Sequence, residues 1–251
     1  MILLCLFATV CVIETVSHAL GRIVRGEVRV SRRSKRILIA GAVVCFVWCT
    51  VTLSGPDFSH VSLTAVKRML SGFIHPDWAF FFRTDSGGLG YLLLENFIAV
   101  ALVEELCKRW PVRRFAWNHP AFDYRFDAVV YCVFSTLGFA ALENILYVAQ
   151  FGLSVAVPRA LLSVPGHFFF AVYMGIYLGE AKRAEREGEG FLRDRFLRES
   201  ILVPVLLHGF WDFSLSVDSP WMTAAFYAFV LVFFLSANHR LRAASEDDQQ
   251  L

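Results

Sequence analysis

The run LGYLLLENFIAVALVEELC, Leu89–Cys107, is long enough to cross a bilayer, whose hydrocarbon core takes roughly 20 mainly apolar residues, and it leads straight into Lys108-Arg109. Its apolar length and basic end read as a transmembrane helix, although Glu95, Glu104 and Glu105 lie within it. Six further stretches qualify, some weakly: 2–20, 37–54, 127–150, 160–180, 200–217 and 221–237. The fourth and sixth of the seven carry charges and should score lowest. Of the 251 residues, 57% are hydrophobic and 18% charged, against about 25% charged in soluble domains. The expected fold is an all-α polytopic integral membrane bundle of about seven helices, one domain over 1–251.

The basic residues test that reading. The loops at 21–36, 107–126 and 181–199, with the C-terminal tail, hold 20 of the 24 Lys and Arg; Lys67, Arg68, Arg83 and Arg159 fall on the other side. Positive loops stay cytoplasmic. Seven spans put every basic loop on one side, with the N-terminus outside, the C-terminus inside and the chain in the cytoplasmic membrane. The first segment lacks a basic region before its apolar run and reads as a retained helix. Cys5, Cys11, Cys45, Cys49, Cys107 and Cys132 all lie in or beside apolar segments, so packing is expected rather than a disulfide framework. Residues 60–82 mix apolar and basic residues at helical spacing and suit the membrane surface. The tail Ser245–Leu251 is polar and expected to be mobile. Gly175 and Gly179 have the spacing that lets helices approach closely.

Ionisable groups inside spans are costly and point to function. Glu104 and Glu105 are adjacent, and Lys108 can reach either from the next turn. One Glu would then be held as an ion-pair partner and the other left for acid–base work; the alternative is a helix-end ion pair with Lys108 reaching water. Glu143 lies roughly 22 Å from the cytoplasmic boundary by helical rise, too deep for a helix-end pair but open to a structural partner. His167 follows Pro165-Gly166 in the next span, where a hydrogen-bonded core histidine is the plainer reading. His208 and Asp212 share one helix face, a spacing that suits two metal ligands, a carboxylate orienting a ligand histidine, or a structural hydrogen bond. By depth these groups gather near mid-bilayer, with Glu104 shallow unless its helix tilts or runs past Pro111. Together they offer three or four metal ligands and a spare carboxylate. A catalytic zinc takes three protein ligands and an open position, and a nearby Glu can take a proton from water there. Glu95 and Asn96 lie near the outer end of their helix, within reach of water, and Glu14 and His18 share a face of the first span.

Four short motifs stand in order on successive helices: Glu104-Glu105-x-x-Lys108, Phe139-x-x-x-Glu143-Asn144, His167, and His208-x-x-x-Asp212. In this the sequence resembles the PrsW family of intramembrane proteases, distant relatives of the CAAX prenyl endopeptidases, over about residues 90–215. The resemblance implies hydrolysis of a peptide bond in or beside the membrane, a membrane-anchored protein substrate, no nucleic acid, and a catalytic core at about 89–217. Related bacterial proteins act on anti-sigma factors at an extracytoplasmic site, a substrate not to be assumed here. On this reading Glu143, His167 and His208 hold zinc or another divalent metal, Glu104 activates water, Glu105 pairs with Lys108, and Asp212 orients His208 or adds a ligand. Glu104 and Glu105 could exchange roles, and a metal-free glutamate mechanism fits the same residues. The competing class is a proton- or cation-coupled transporter built on the same carboxylates and histidines, though neither inverted repeats nor paired broken helices are seen. A catalytically idle scaffold is a third, but no motif position is missing.

Overall fold

A computed structural model of the chain describes residues 88–251. The first two expected spans, the surface segment at 60–82, Glu14, His18 and the cysteines Cys5, Cys11, Cys45 and Cys49 lie outside the described residues. The remainder is helical, with one isolated antiparallel bridge, Tyr124 to Gln250.

Helix α1 runs through 89–116 and is wound unevenly. Leu89–Leu94 and Val103–Pro111 are α-helical, whereas Glu95–Leu102 and Val112–Ala116 take the wider i→i+5 winding. Pro111 removes one amide donor and pushes on the carbonyl a turn back. The chain loosens behind it rather than stopping, and Trp117 N–H closes on the Val112 carbonyl at 3.0 Å. Helix α2, Asp127–Phe151, ends at Gly152, whose positive φ of 81° glycine takes at no steric cost. Helix α3, Leu153–Arg186, opens with short turns and another wide segment, Arg159–Ser163, ahead of Pro165. Helix α4 is Gly190–Ser216 and α5 is Pro220–Glu246, the latter with Pro220 in its first turn, where a missing amide proton is harmless.

Three of these are long and apolar enough to cross a membrane: Asp127–Ala149, Leu153–Arg186 and Pro220–Glu246. The fourth expected span, marked down for its charges, qualifies with mean hydropathy 1.7. Helices also cover 89–107 and 200–216, but neither the third nor the sixth expected span is among the three. Large apolar side chains such as Leu153, Leu206, Trp221 and Val232 face outward, as lipid contact requires.

Helix α3 is the central element. On one side Gly175 meets the Val129 backbone, and a Cβ on Gly179 would lie 2.6 Å from the Arg125 carbonyl oxygen. The two glycines therefore seat α2 against α3. On the other side Phe169 and Phe170 join Trp211, Phe226, Phe233 and Phe234 in an aromatic core. Cys107 and Cys132 are buried and not in a disulfide. The tail is anchored, contrary to expectation: Leu251 N–H donates to the Asp123 carbonyl at 2.7 Å, Arg125 N–H to Gln249 at 3.1 Å, and Asp248 accepts from Phe126 N–H at 2.9 Å. The backbone donors of the loop before α2 supply partners that a reading by composition misses.

Gly175→Val is expected to lower stability by about 1–3 kcal/mol, the scale of overpacking a tight contact. Gly190→Ala, with nothing within 4 Å of the added carbon, should leave it nearly unchanged. Thermal unfolding of both variants in one detergent checks this.

Candidate functional site

The charged face of α1 meets α3 and α4 around one ammonium group. Lys108 is fully buried, and its Nζ lies 2.7 Å from Glu105 Oε1 and 3.1 Å from Glu104 Oε2. It also lies 3.0 Å from His167 Nδ1 and 4.7 Å from the centre of the Phe139 ring. The lysine does not reach toward water. Helix α1 continues past Pro111 to Ala116, so Glu104 is well inside the helix and level with the histidines. Ser135 Oγ donates to the Lys108 carbonyl at 2.7 Å and ties this turn to α2.

Each histidine is held from two sides. His167 has Lys108 at Nδ1 and Glu143 Oε2 at Nε2, 2.9 Å away. His208 places Nδ1 2.9 Å from Glu105 Oε1, with Nε2 3.2 Å from Asp212 Oδ2 and 3.9 Å from Glu104 Oε2. The two imidazoles stand 5.3 Å apart, nearly perpendicular, and Phe170 stacks on His208 at 4.9 Å. Gly166 leaves room for Trp211, which a Cβ there would meet at 3.3 Å. A carboxylate on one ring nitrogen sets the tautomer and the ring's orientation, and both histidines have that support.

Glu104 and Glu105 separate as adjacent helical positions must. Glu104 lines a cavity of about 510 Å³ together with Glu143, His167, His208 and Asp212. Glu105 is wholly buried behind His208. One donor atom from each of Glu104, His167 and His208 falls in a group within 4.8 Å. Two imidazoles and a carboxylate are a ligand set that suits a catalytic zinc and leaves a position open, so the residues present fit a divalent metal. Glu143 and Asp212 are not part of that group; each touches one of its histidines instead.

Arg159 was not singled out from sequence. Its Nη2 lies 2.7 Å from Glu143 Oε1, its Nε donates to Asn144 Oδ1 at 2.6 Å, and its guanidinium covers the Tyr147 ring at 3.6 Å. The signal was available: Arg159 is the one basic residue next to a span on the side with few charges. Glu95 and Asn96, set aside as near water, line the same cavity.

A family model described as the PrsW family intramembrane metalloprotease matches residues 35–237. The chain belongs to that family. It is 42% identical over 127 residues to "Protease PrsW" of Geobacillus kaustophilus, 51% of this chain and 54% of that protein. It is 36% identical over 157 residues to the protein of the same name from Halalkalibacterium halodurans, 62% of this chain and 71% of that protein. The Bacillus subtilis "Protease PrsW" is 39% identical over 127 residues, 51% of this chain and 56% of that protein. No solved structure matches the chain. Membership of this family favours the protease reading over ion transport.

Because Arg159 holds Glu143, Arg159→Gln is expected to lower turnover about 10–100-fold, the usual range for a residue that orients a site group. Arg159→Lys should recover part of the loss. Cleavage rates of the three forms on one membrane-anchored substrate check this.

Proposed function

We propose that the chain is a metal-dependent endopeptidase that cuts a membrane-anchored protein in or beside its transmembrane segment, with Glu104, His167 and His208 as the metal-holding set. The observation that carries this is the gathering of one carboxylate and two imidazoles from three helices on the wall of one cavity. The set departs from the sequence expectation by taking Glu104 in place of Glu143, and the water-activating role expected of Glu104 passes to Asp212. Glu143 is committed to Arg159 through one oxygen and to His167 through the other, whereas Glu104 faces both histidines and the cavity. Zinc is the expected ion, since imidazole and carboxylate ligands suit it. A divalent cation held there would polarise the scissile carbonyl and make water nucleophilic near neutral pH.

The chain's own residues supply the rest. Asp212 Oδ2 lies 3.2 Å from His208 Nε2, and its side chain is 29% exposed, the most open carboxylate beside the histidines. It accepts the proton of the attacking water and returns it to the departing amine as the C–N bond breaks, leaving a carboxylate and a free amine. Glu105 and Lys108 fix the turn that carries Glu104, and Glu143 fixes His167. The substrate backbone must leave its helix to be cut, which is tolerated only in a cavity that supplies polar partners or water.

The cavity wall includes Glu95, Arg159 and Ser216, all at the helix ends away from the basic loops 107–126 and 181–199. With those loops cytoplasmic, and the N-terminus outside by the same count, the cut falls toward the extracytoplasmic side of the cell membrane.

Metal content and turnover measured on the same preparations separate the roles. Glu104→Gln and His208→Ala should lose both bound metal and activity. Asp212→Asn should keep its metal and lose about 10²–10⁴-fold in kcat, the range of a proton-transfer group. Full activity in Glu104→Gln, or in metal-stripped enzyme held in chelator, would overturn the metal assignment.

A further inference from the structure

The cavity extends well beyond the histidines. Along α1 its wall runs on to Glu95 and Asn96, and opposite them it is formed by Pro158, Arg159, Leu215 and Ser216. Glu95 and Glu104 are nine residues apart. At about 100° per residue an α-helix would turn them to opposite faces. The wider winding over Glu95–Leu102 turns the chain less at each residue and brings both carboxylates onto one wall. Roughly 13 Å of helical rise separates them, so Glu95 does not touch the atoms that Glu104 touches. The irregular winding thus places a second carboxylate along the substrate's path, away from the reacting centre.

Each of the other carboxylates lining the cavity lies against a basic side chain. Glu104 faces Lys108, Glu143 faces Arg159, and Asp212 faces His208. Glu95 has no ion pair with any described residue; the Tyr91 hydroxyl lies beside it. Its neighbour Asn96 spends its amide on the Leu92 carbonyl at 2.8 Å and accepts from Ser216 Oγ at 3.3 Å. Among the described residues Glu95 is therefore a carboxylate without a cation in the space the substrate must fill.

We propose that Glu95 is a specificity-determining residue, receiving a Lys or Arg side chain of the substrate about four residues from the scissile bond, toward the Glu95 end of the cavity. The count follows from geometry: a peptide drawn out as a strand advances about 3.3 Å per residue, and four residues cover the separation along α1. The inference rests on the protease reading above and names a feature of its substrate.

The test uses the full-length protein in liposomes and a set of single-span substrates whose cut site is mapped by mass spectrometry. One Lys is walked away from the cut in the direction of Glu95, and kcat/KM is compared with the Ala substrate at each position. The wild type should favour Lys about tenfold in a window centred near the fourth position, the scale of one charge pair in a partly screened site. Glu95→Gln should lose that preference, and Glu95→Lys should favour Glu at the same position. A flat wild-type profile, or a preference that persists in Glu95→Gln, overturns the inference and leaves the protease reading intact. Each ratio is taken within one enzyme, so Glu95→Gln decides the matter even if Glu95→Lys does not fold. Cleavage of no substrate by the wild type would overturn the protease reading and this inference with it.

Discussion

One buried ammonium group organises the centre of this molecule. Lys108 joins two carboxylates of its own helix to a histidine of α3, and Glu105 passes the connection to His208 of α4 through the same oxygen. Three helices are thus held in register by a single cation and the acceptors around it. An ion pair of this kind is poor evidence for net stability, because desolvation offsets much of the attraction. Its value here is geometric. Removing one partner would leave uncompensated buried charge, which costs about 3–5 kcal/mol, so alternative registers of α1 against α3 and α4 are strongly disfavoured. The histidines can be placed to within a few tenths of an ångström only if that register holds.

The same constraint accounts for the irregular helices. Among the described residues wide winding occurs in three places, Glu95–Leu102, Val112–Ala116 and Arg159–Ser163. Two of them flank prolines: Pro111 lies just before Val112, and Pro165 lies just after Ser163. In both, a missing amide and a crowded carbonyl give a local reason for the looser turn. The first has no proline. It sits where α1 must show Glu95, Val100 and Glu104 to one cavity while packing Phe97 against Gly209 of α4. A regular helix could not meet both demands, and departures of this kind in helices gather at functional sites.

Part of this was legible in the sequence. The reach of Lys108 to both glutamates follows from spacings of three and four along a helix, and so does the partnership of His208 with Asp212; local geometry fixes both. The packing role of Gly175 and Gly179 was also readable, because only small side chains let two helices approach so closely. Other features depend on which helices become neighbours, and no single stretch of sequence encodes that. Arg159 lies fifteen or more residues from Glu143 and Asn144, across the turn at Gly152, so periodicity could not pair them. The separate positions of Glu104 and Glu105 needed the placement of α4, since either could have faced the cavity. The anchoring of the tail depended on backbone donors in the loop before α2, which composition does not record. The winding around Glu95 leaves no mark in residue type at all.

The balance of charge around the histidines gives a physical reason to expect a cation there. Four carboxylates, Glu104, Glu105, Glu143 and Asp212, are gathered against two fixed cations, Lys108 and Arg159. With neutral imidazoles the inner site carries an excess of two negative charges in surroundings of low polarity, where unpaired charge is expensive. Protons on the histidines would offset the excess, but would also remove the lone pairs that make these rings useful ligands. A divalent cation offsets it in full and keeps the imidazoles neutral. A divalent cation held there would be supported by carboxylates that set the rings, Glu105 behind His208 and Glu143 behind His167, with Lys108 paired to Glu105 and Arg159 to Glu143. The arrangement is that of a site whose ligands are few and whose supporting groups are many, which is how a small set of side chains is held rigid enough for chemistry.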